Sequence, residues 1–275
     1  MAEQKNFKTR VKEEAIKCSK TYKSLFVDYD YLLCSDAFVQ ADYYIIQGHE
    51  DNYRHLTGVA TEISAEEFFN KCYDGTLTEN DFSFEKEGQA EAQTKGAVRD
   101  KIRVLPDIKN LFSQNAVVEE EFKQNRIKCA FAAEGCTFTL GFVCQNNSKP
   151  MTLLRGKKLD TNQTAALELV IRRPRGAEKF SEIVLGNDSV LKKYSAKVKK
   201  MLSEELLKSL LENTDGEEKI WDGSVAGGEQ LIEQTRFALL AELVDQGDLS
   251  AEVASAKLMM TTEQFVEKMN SSIGV

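Results

Sequence analysis

The chain has 275 residues, of which 42% are hydrophobic and 29% charged, with a net charge of -8, as in a soluble globular protein with a real core. No window approaches the roughly 18 uninterrupted apolar residues of a membrane span, and the amino terminus lacks a signal-peptide core, so we expect a cytoplasmic protein without membrane contact. The six cysteines are scattered without a C-x-x-C pair, which excludes a zinc ribbon or finger and predicts reduced thiols.

Residues 6–35 are predicted to form one long helix. Their apolar residues recur at alternating steps of three and four, which gives a single stripe with lysines on the opposite face. Asp28 and Asp30 form a D-x-D pair in this segment. Because residues two apart on a helix point in different directions, we do not expect them to hold a metal.

Residues 42–47 are predicted to form a strand that Gly48 ends, and both histidines of the chain, His49 and His55, follow at once. Histidine gives and takes a proton near neutral pH, so two histidines beside one strand suggest acid–base chemistry. Solvated or capping histidines are the alternative interpretation.

Two further helices are predicted before the middle of the chain. Ser64 caps the first, with Glu67 completing a capping box and Gly75 ending the helix. The second covers about residues 95–112, and Pro106 should kink or split it.

Short strands dominate after Arg126, beginning with two strands joined at Glu134-Gly135. Helices followed by a run of strands are typical of an α+β domain. We therefore predict a small, mainly antiparallel sheet of four to five strands within residues 40–186, packed by the N-terminal helices.

The same region carries the positive charge of the protein. Residues 127–200 hold fourteen basic and six acidic side chains, a local charge of +8, whereas residues 24–126 and 201–275 hold -10 each. Such a block attracts an anionic partner, or is a solvated face without a ligand. The predicted nucleic-acid-binding residues of this block are Lys157, Lys158, Arg172, Arg173 and Arg175, together with Arg155.

The C-terminal region, from about residue 191, is predicted to be helical with a glycine-rich, acidic linker that contains Trp221. Its last three helices resemble a helix-turn-helix, but their acidic faces favour packing or homo-oligomerisation over DNA binding. The predicted organisation is an N-terminal helix (1–38), an α+β domain (39–190) and a helical C-terminal region (191–275).

Metal-independent cleavage of RNA needs few protein groups, because the 2′-hydroxyl of the substrate is itself the nucleophile. The protein removes one proton, supplies another and stabilises negative charge on phosphorus. Histidine suits the proton transfers, and Lys or Arg suits the charge, without metal or cofactor. The chain offers this set, whereas it contains neither a phosphate-binding G-x-x-x-x-G-K-[ST] loop nor a G-x-S-x-G elbow.

Several segments resemble a known family, the phage-associated barnase–EndoU–colicin–RelE-like nucleases, in the group numbered four. The resemblance covers about residues 40–175. It is carried by Asn52-Tyr53-Arg54-His55-Leu56-Thr57-Gly58, Phe68-Phe69-Asn70-Lys71-Cys72, Lys101-Ile102-Arg103-Val104-Leu105-Pro106, Leu140-Gly141-Phe142 and Pro150-Met151-Thr152-Leu153-Leu154.

This resemblance implies a metal-independent RNase of a phage or mobile element, acting in the cytoplasm of a bacterial host. His55 and Thr57 would then lie in the active site, with Lys101 and Arg155 on the phosphate side. The family usually has a serine where this chain has Thr152.

A non-enzymatic binder is the competing hypothesis. A phage protein can act by blocking a host defence complex, and the acidic segments of this chain could mimic a nucleic acid. A nucleic-acid-binding regulator that uses the C-terminal helices is a third possibility.

Overall fold

The computed structural model describes residues 6–144, 146–216, 249–258 and 260–272, together with Phe237, Leu240, Ala241 and Val244. The chain divides into two units, Met1–Gly216 and Glu217–Val275. Among the described helices, none has the length and apolar character needed to cross a membrane.

A nine-stranded sheet organises the first unit. Its strand order is β11-β10-β1-β2-β8-β7-β6-β3-β9, and every pairing is antiparallel except that of β2 with β8. The α+β prediction is confirmed, with more strands than expected. The strands are β1 (Tyr29–Cys34), β2 (Tyr44–Ile46), β3 (Val117–Glu120), β6 (Phe131–Glu134), β7 (Phe138–Cys144), β8 (Ser148–Arg155), β9 (Thr164–Ala166), β10 (Leu169–Pro174) and β11 (Glu182–Leu185), with β4 (Lys123–Gln124) and β5 (Ile127–Lys128) forming a separate hairpin.

Helices cover both faces of the sheet. One face packs against the four helices that precede the long run of strands, and their buried residues form the first core. The other face packs against the two helices that follow the strands, and their buried residues form the second core. These helices are α1 (Phe7–Tyr22), α2 (Asn52–Thr57), α3 (Ala65–Asp74), α4 (Glu91–Val104), α5 (Asp188–Val198) and α6 (Glu204–Gly216), with shorter helical turns at Lys23–Val27, Glu79–Asp81, Leu105–Asn110 and Lys199–Met201.

The prediction of a single helix over residues 6–35 is wrong beyond its first four turns. The helix ends at Tyr22, a π-helical turn follows, and β1 enters the middle of the sheet. Tyr31 and Leu33 contact the first core, whereas Leu32 and Cys34 contact the second. A strand buried on both faces has a continuous apolar run, so the helical spacing of Tyr29 and Leu32 was coincidental.

The other predicted helix boundaries agree better with the structure. The Ser64 hydroxyl accepts the backbone N–H of Glu67 at the start of α3, and Gly75 ends that helix with a φ of 74°. Helix α4 stops at Val104, two residues before Pro106, and a 3₁₀ turn continues the chain.

In the second unit, α7 (Ala251–Lys257) and α8 (Thr262–Ser272) are described. Thr261 and Gln264 exchange two hydrogen bonds, 2.9 and 3.2 Å, which confirms the capping box expected there. The predicted linker with Trp221 lies mostly outside the described residues.

A buried carboxylate links the centre of the sheet to the segment that carries the histidines. Asp30 of β1 is 1% exposed and lies opposite Arg173 of β10. Arg173 Nε donates to Asp30 Oδ2 (3.1 Å), and Arg175 Nη1 lies 2.9 Å from Oδ1. Arg175 Nη2 also donates to the carbonyl oxygens of Phe26 (2.9 Å) and Gly48 (2.5 Å).

Asp28 and Asp30 were not expected to form a metal site because they were placed on a helix, and that reason is wrong. Asp30 lies on a strand, not a helix, and it is occupied by two arginines. Asp28 instead pairs with Lys23.

We predict that Asp30→Ala lowers the free energy of unfolding by about 3–5 kcal/mol, because it leaves two partly buried guanidinium groups without their carboxylate. Asp100→Ala, which breaks an ion pair whose two side chains are about half exposed, should cost less than about 1 kcal/mol. Urea denaturation of both variants measures the difference, and equal effects would refute a special role for Asp30.

Candidate active site

The segment His55-Leu56-Thr57-Gly58 is the C-terminal end of the short helix α2. Leu56 is buried in the first core, and the Thr57 hydroxyl donates to the Arg54 carbonyl (2.9 Å). Gly58 ends the helix with a φ of 77°, a conformation that favours glycine. The His55 side chain is left partly exposed at this end.

Lys101 contacts this helix end from α4. It lies in the buried stripe of α4, with Val98 three residues before it and Leu105 four residues after it. Its Nζ donates to the backbone carbonyl oxygen of His55 (2.5 Å). A Cβ atom on Gly58 would lie 2.7 Å from Lys101 Cδ, so the lysine stem crosses the helix end where the chain has no side chain.

Two more cations surround His55. Burial and the charges of Arg54 and Lys101 lower the pKa of the imidazole, with Lys86 acting in the same sense and Asp51 opposing them. Burial, followed by the charge of Lys86, lowers the pKa of Lys101 to about 8. Burial and the charge of Arg54 likewise lower the pKa of Lys86. We refer to Arg54, Lys86 and Lys101 as the cation cluster.

A turn that is hydrogen-bonded to the segment after α2 brings Lys86 to this cluster. Ser83 exchanges two backbone hydrogen bonds with Ala60, two residues beyond Gly58 (3.0 and 2.8 Å). Lys86 and Gln89 form the ends of a tight turn immediately before α4. Residues 83–89 therefore span from the end of α2 to the start of α4.

The predicted catalytic residues differ in their surroundings. Arg155, at the end of β8, pairs with Asp100, the neighbour of Lys101 on α4 (3.2 Å). Thr57 is completely buried, with its hydroxyl engaged inside α2. His49 is more exposed than His55 and lines a separate groove of about 350 Å³ with Lys149.

The predicted basic block does not form one surface. Arg172 is in register with Tyr31, Tyr31 with Ile46, and Ile46 with Ser148, so Arg172 lies level with the start of β8. Arg155 is seven residues further along β8, on a strand three positions away in the sheet. At about 3.3 Å per residue and 4.8 Å per strand, the two arginines are separated by roughly 27 Å.

The arginines of β10, Arg172 and Arg173, and Arg175 just after it are also engaged within the protein. Arg172 forms two hydrogen bonds with Glu182 (2.8 and 2.6 Å) and covers the Tyr29 ring. Arg173 and Arg175 are bound to Asp30, as described above. Their charges hold strands together and are not brought to the histidine.

The two lysines of the block lie nearer to Arg155 in the chain, just beyond Gly156. Lys157 is 71% exposed, with Glu134 Oε1 at 3.8 Å. Lys158 is exposed and lines a groove of about 600 Å³ whose walls include Glu119, Glu120 and Asp160. Both side chains therefore lie close to carboxylates.

Comparison with known proteins assigns the chain to a family. The model of the family described as phage-Barnase-EndoU-ColicinE5/D-RelE like nuclease 4 matches residues 16–171. The chain belongs to this nuclease family. No curated protein and no solved structure matches the chain.

The family match covers only the first part of the basic block. It includes α2, α4 and β8, and hence His55, Lys101 and Arg155. It ends at Ile171, one residue before Arg172. The family is one of nucleases, which implies a nucleic acid as the substrate.

Arg54 and Lys86 were missed by the sequence analysis. Arg54 is adjacent to His55 and could have been noticed from its position in the quoted motif. Lys86 falls in a polar stretch that predicts only a loop, so nothing in the sequence connects it to the histidine. Lys101 could have been singled out more strongly, as a lysine inside the apolar stripe of a helix.

The lowered pKa of Lys101 makes the free energy of unfolding depend on pH. Its pKa is lower in the folded protein than in the unfolded chain, so folding is disfavoured below pH 8 and recovers as the pH rises towards 10.5. Relative to Lys101→Met, the free energy of unfolding of the wild type should increase by about 1 kcal/mol between pH 7 and pH 9. Urea denaturation across this range measures it, and a pH-independent difference would contradict a buried amine.

Proposed function

We propose that the protein is a metal-independent endoribonuclease in which His55 accepts a proton, and Lys101 stabilises charge and donates a proton. The observation that carries the proposal is the position of a partly buried histidine among three cations, in the part of the chain that matches the nuclease family. A phosphodiester supplies the negative charge that such a site lacks.

The chemistry follows from the protonation states. His55 is neutral at pH 7 because its pKa is lowered, so it can accept the proton of the RNA 2′-hydroxyl. The 2′-oxygen forms a bond to phosphorus, and the bond from phosphorus to the 5′-oxygen breaks. Lys101, mostly protonated at pH 7, stabilises the added charge and donates a proton to the leaving oxygen. The products are a 2′,3′-cyclic phosphate and a 5′-hydroxyl, with no cofactor.

The remaining site residues have supporting roles in this proposal. Thr57 positions Arg54 and His55 through its hydrogen bond within α2. Arg155, Lys157 and Lys158 bind the RNA chain beyond the scissile phosphate. We also propose that the protein comes from a phage or mobile element and acts in the cytoplasm of its host.

His55→Ala should reduce the rate of RNA cleavage at least about 100-fold, which is the low end for loss of a general acid or base. His49→Ala, which changes the exposed histidine outside the cluster, is the matched control and should retain activity. Cleavage of a labelled RNA in EDTA, with the 2′,3′-cyclic end identified by mass spectrometry, provides the measurement.

The pH dependence of kcat/KM tests the roles of His55 as proton acceptor and Lys101 as proton donor. The value of kcat/KM should increase with pH through the lowered pKa of His55 and decrease above about 8 as Lys101 loses its proton. Lys101→Arg should keep the acidic limb and move the decrease to higher pH. A profile without a basic limb would remove Lys101 from the proton transfer.

Arg155 and Arg172 form a matched pair for testing RNA binding, because each is an arginine with a carboxylate partner and they lie at different ends of the sheet. Arg155→Ala should weaken binding and reduce the slope of log K against log salt by about 0.7, the value for one contact with a single strand. Arg172→Ala should change neither. If the two variants weakened binding equally, RNA would contact β10 as well.

A non-catalytic protein that binds and blocks a host complex or nucleic acid is the second candidate function. It is favoured by the division of the basic block and by the internal ion pairs of its arginines. If the wild type cuts no RNA while His55→Ala keeps the full biological effect, this function replaces the first.

A further inference from the structure

We propose that Arg54 and Lys86, together with Lys101, form a binding site for the non-bridging oxygens of a phosphodiester. This inference rests on the proposed function in one respect, namely that the bound phosphate is the one on which His55 acts. An anion would occupy the same site whether or not cleavage follows.

The first observation is an unused hydrogen-bond donor. Arg54 Nε is buried and has no hydrogen-bond partner. A buried donor without a partner costs about 1–3 kcal/mol, so native proteins rarely leave one unless a ligand uses it. Within the described part of the chain, neither Arg54 nor Lys86 forms an ion pair with a carboxylate, in contrast to the arginines of β10.

The second observation is the convergence of three separate elements. Helix α2 provides Arg54 and His55, α4 provides Lys101, and the turn of residues 83–89 provides Lys86. Phe82 and Phe84 are buried in the first core on either side of Ser83, which anchors the turn. The backbone segments that carry the cations are therefore held by the fold.

The third observation is electrostatic. Partly desolvated like charges repel one another, and His55, Lys86 and Lys101 each have a lowered pKa for that reason in addition to burial. Bound phosphate reverses the balance, because it supplies negative charge and acceptor oxygens together. Lys101 already caps α2, but in the described part of the chain no such structural contact accounts for Arg54 Nε or the Lys86 amine.

The two histidines of the chain make this testable by NMR, since one lies in the cluster and the other outside it. The groups that face His55 are Arg54 and Asp51 on its own helix, Lys101 on α4 and Lys86 on the turn. Inorganic sulfate, which remains a dianion between pH 5 and 8, should raise the pKa of His55 by about half a unit or more, relative to sodium chloride of equal ionic strength. The pKa of His49 should not change.

Variants assign the effect to the cluster. Arg54→Gln and Lys86→Met should each reduce the affinity for sulfate at least about fivefold, while Lys149→Met, beside His49, should leave it unchanged. A thymidine dinucleotide, which lacks the 2′-hydroxyl, should also raise the pKa of His55, by less than sulfate because its phosphodiester carries a single negative charge. Preserved near-ultraviolet circular dichroism shows that the variants are folded.

The outcomes separate this inference from the proposed function. Absence of a His55 shift, or a shift that both cluster variants retain, overturns the phosphate site even if His55→Ala is inactive. A His55 shift that the variants remove supports the site, even if His55→Ala cleaves RNA at the wild-type rate and the proposed function fails. An equal shift of His49 would identify a general ionic effect and also overturn the site.

Discussion

The ion-pair group around Asp30 is the constraint on which both the sheet and the site depend. A buried carboxylate needs charged partners, and Arg173 of β10 and Arg175 just after that strand satisfy this one. Arg175 extends the group by donating to the carbonyls of Phe26 and Gly48. It thereby fixes the end of the strand from which the chain turns towards α2. The position of His55 is thus determined partly by charges on the far side of the sheet.

Two uses of positive charge can be distinguished in this protein. The arginines of β10 have carboxylate partners, stabilise strand pairing and lie outside the family match. Among the residues that the structure describes, the cation cluster has no such partners, and it lies inside the match. An unpaired, partly buried cation reduces stability, so the cluster is a cost that folding alone does not explain. Binding an anion would offset that cost, which is the physical reason to place function there and not in the larger basic block.

Much of the fold could be predicted from local signals. Ser64 and Gly75 mark the ends of α3, and Pro106 lies in the turn that follows α4. Gly135 follows the end of β6, the first sheet strand beyond Arg126. The strand β1 could not be predicted, because its Tyr-Asp-Tyr-Leu-Leu-Cys run is buried on both faces and continues the spacing of the preceding helix. Its identity depends on the partners β2 and β10, which come from other parts of the chain.

The candidate site shows the same division between local and long-range information. His55 and Gly58 stand out in the sequence because a histidine followed by a helix-ending glycine is a local pattern. Lys101 comes 43 positions after Gly58 in the numbering, yet its stem occupies the space that the glycine leaves open. Charge counting along the chain selected residues 127–200, where most arginines already have partners. Among the described residues, the cation cluster differs from the arginines that bind Asp30 in having no carboxylate neighbour, and only the fold reveals which neighbours each residue has.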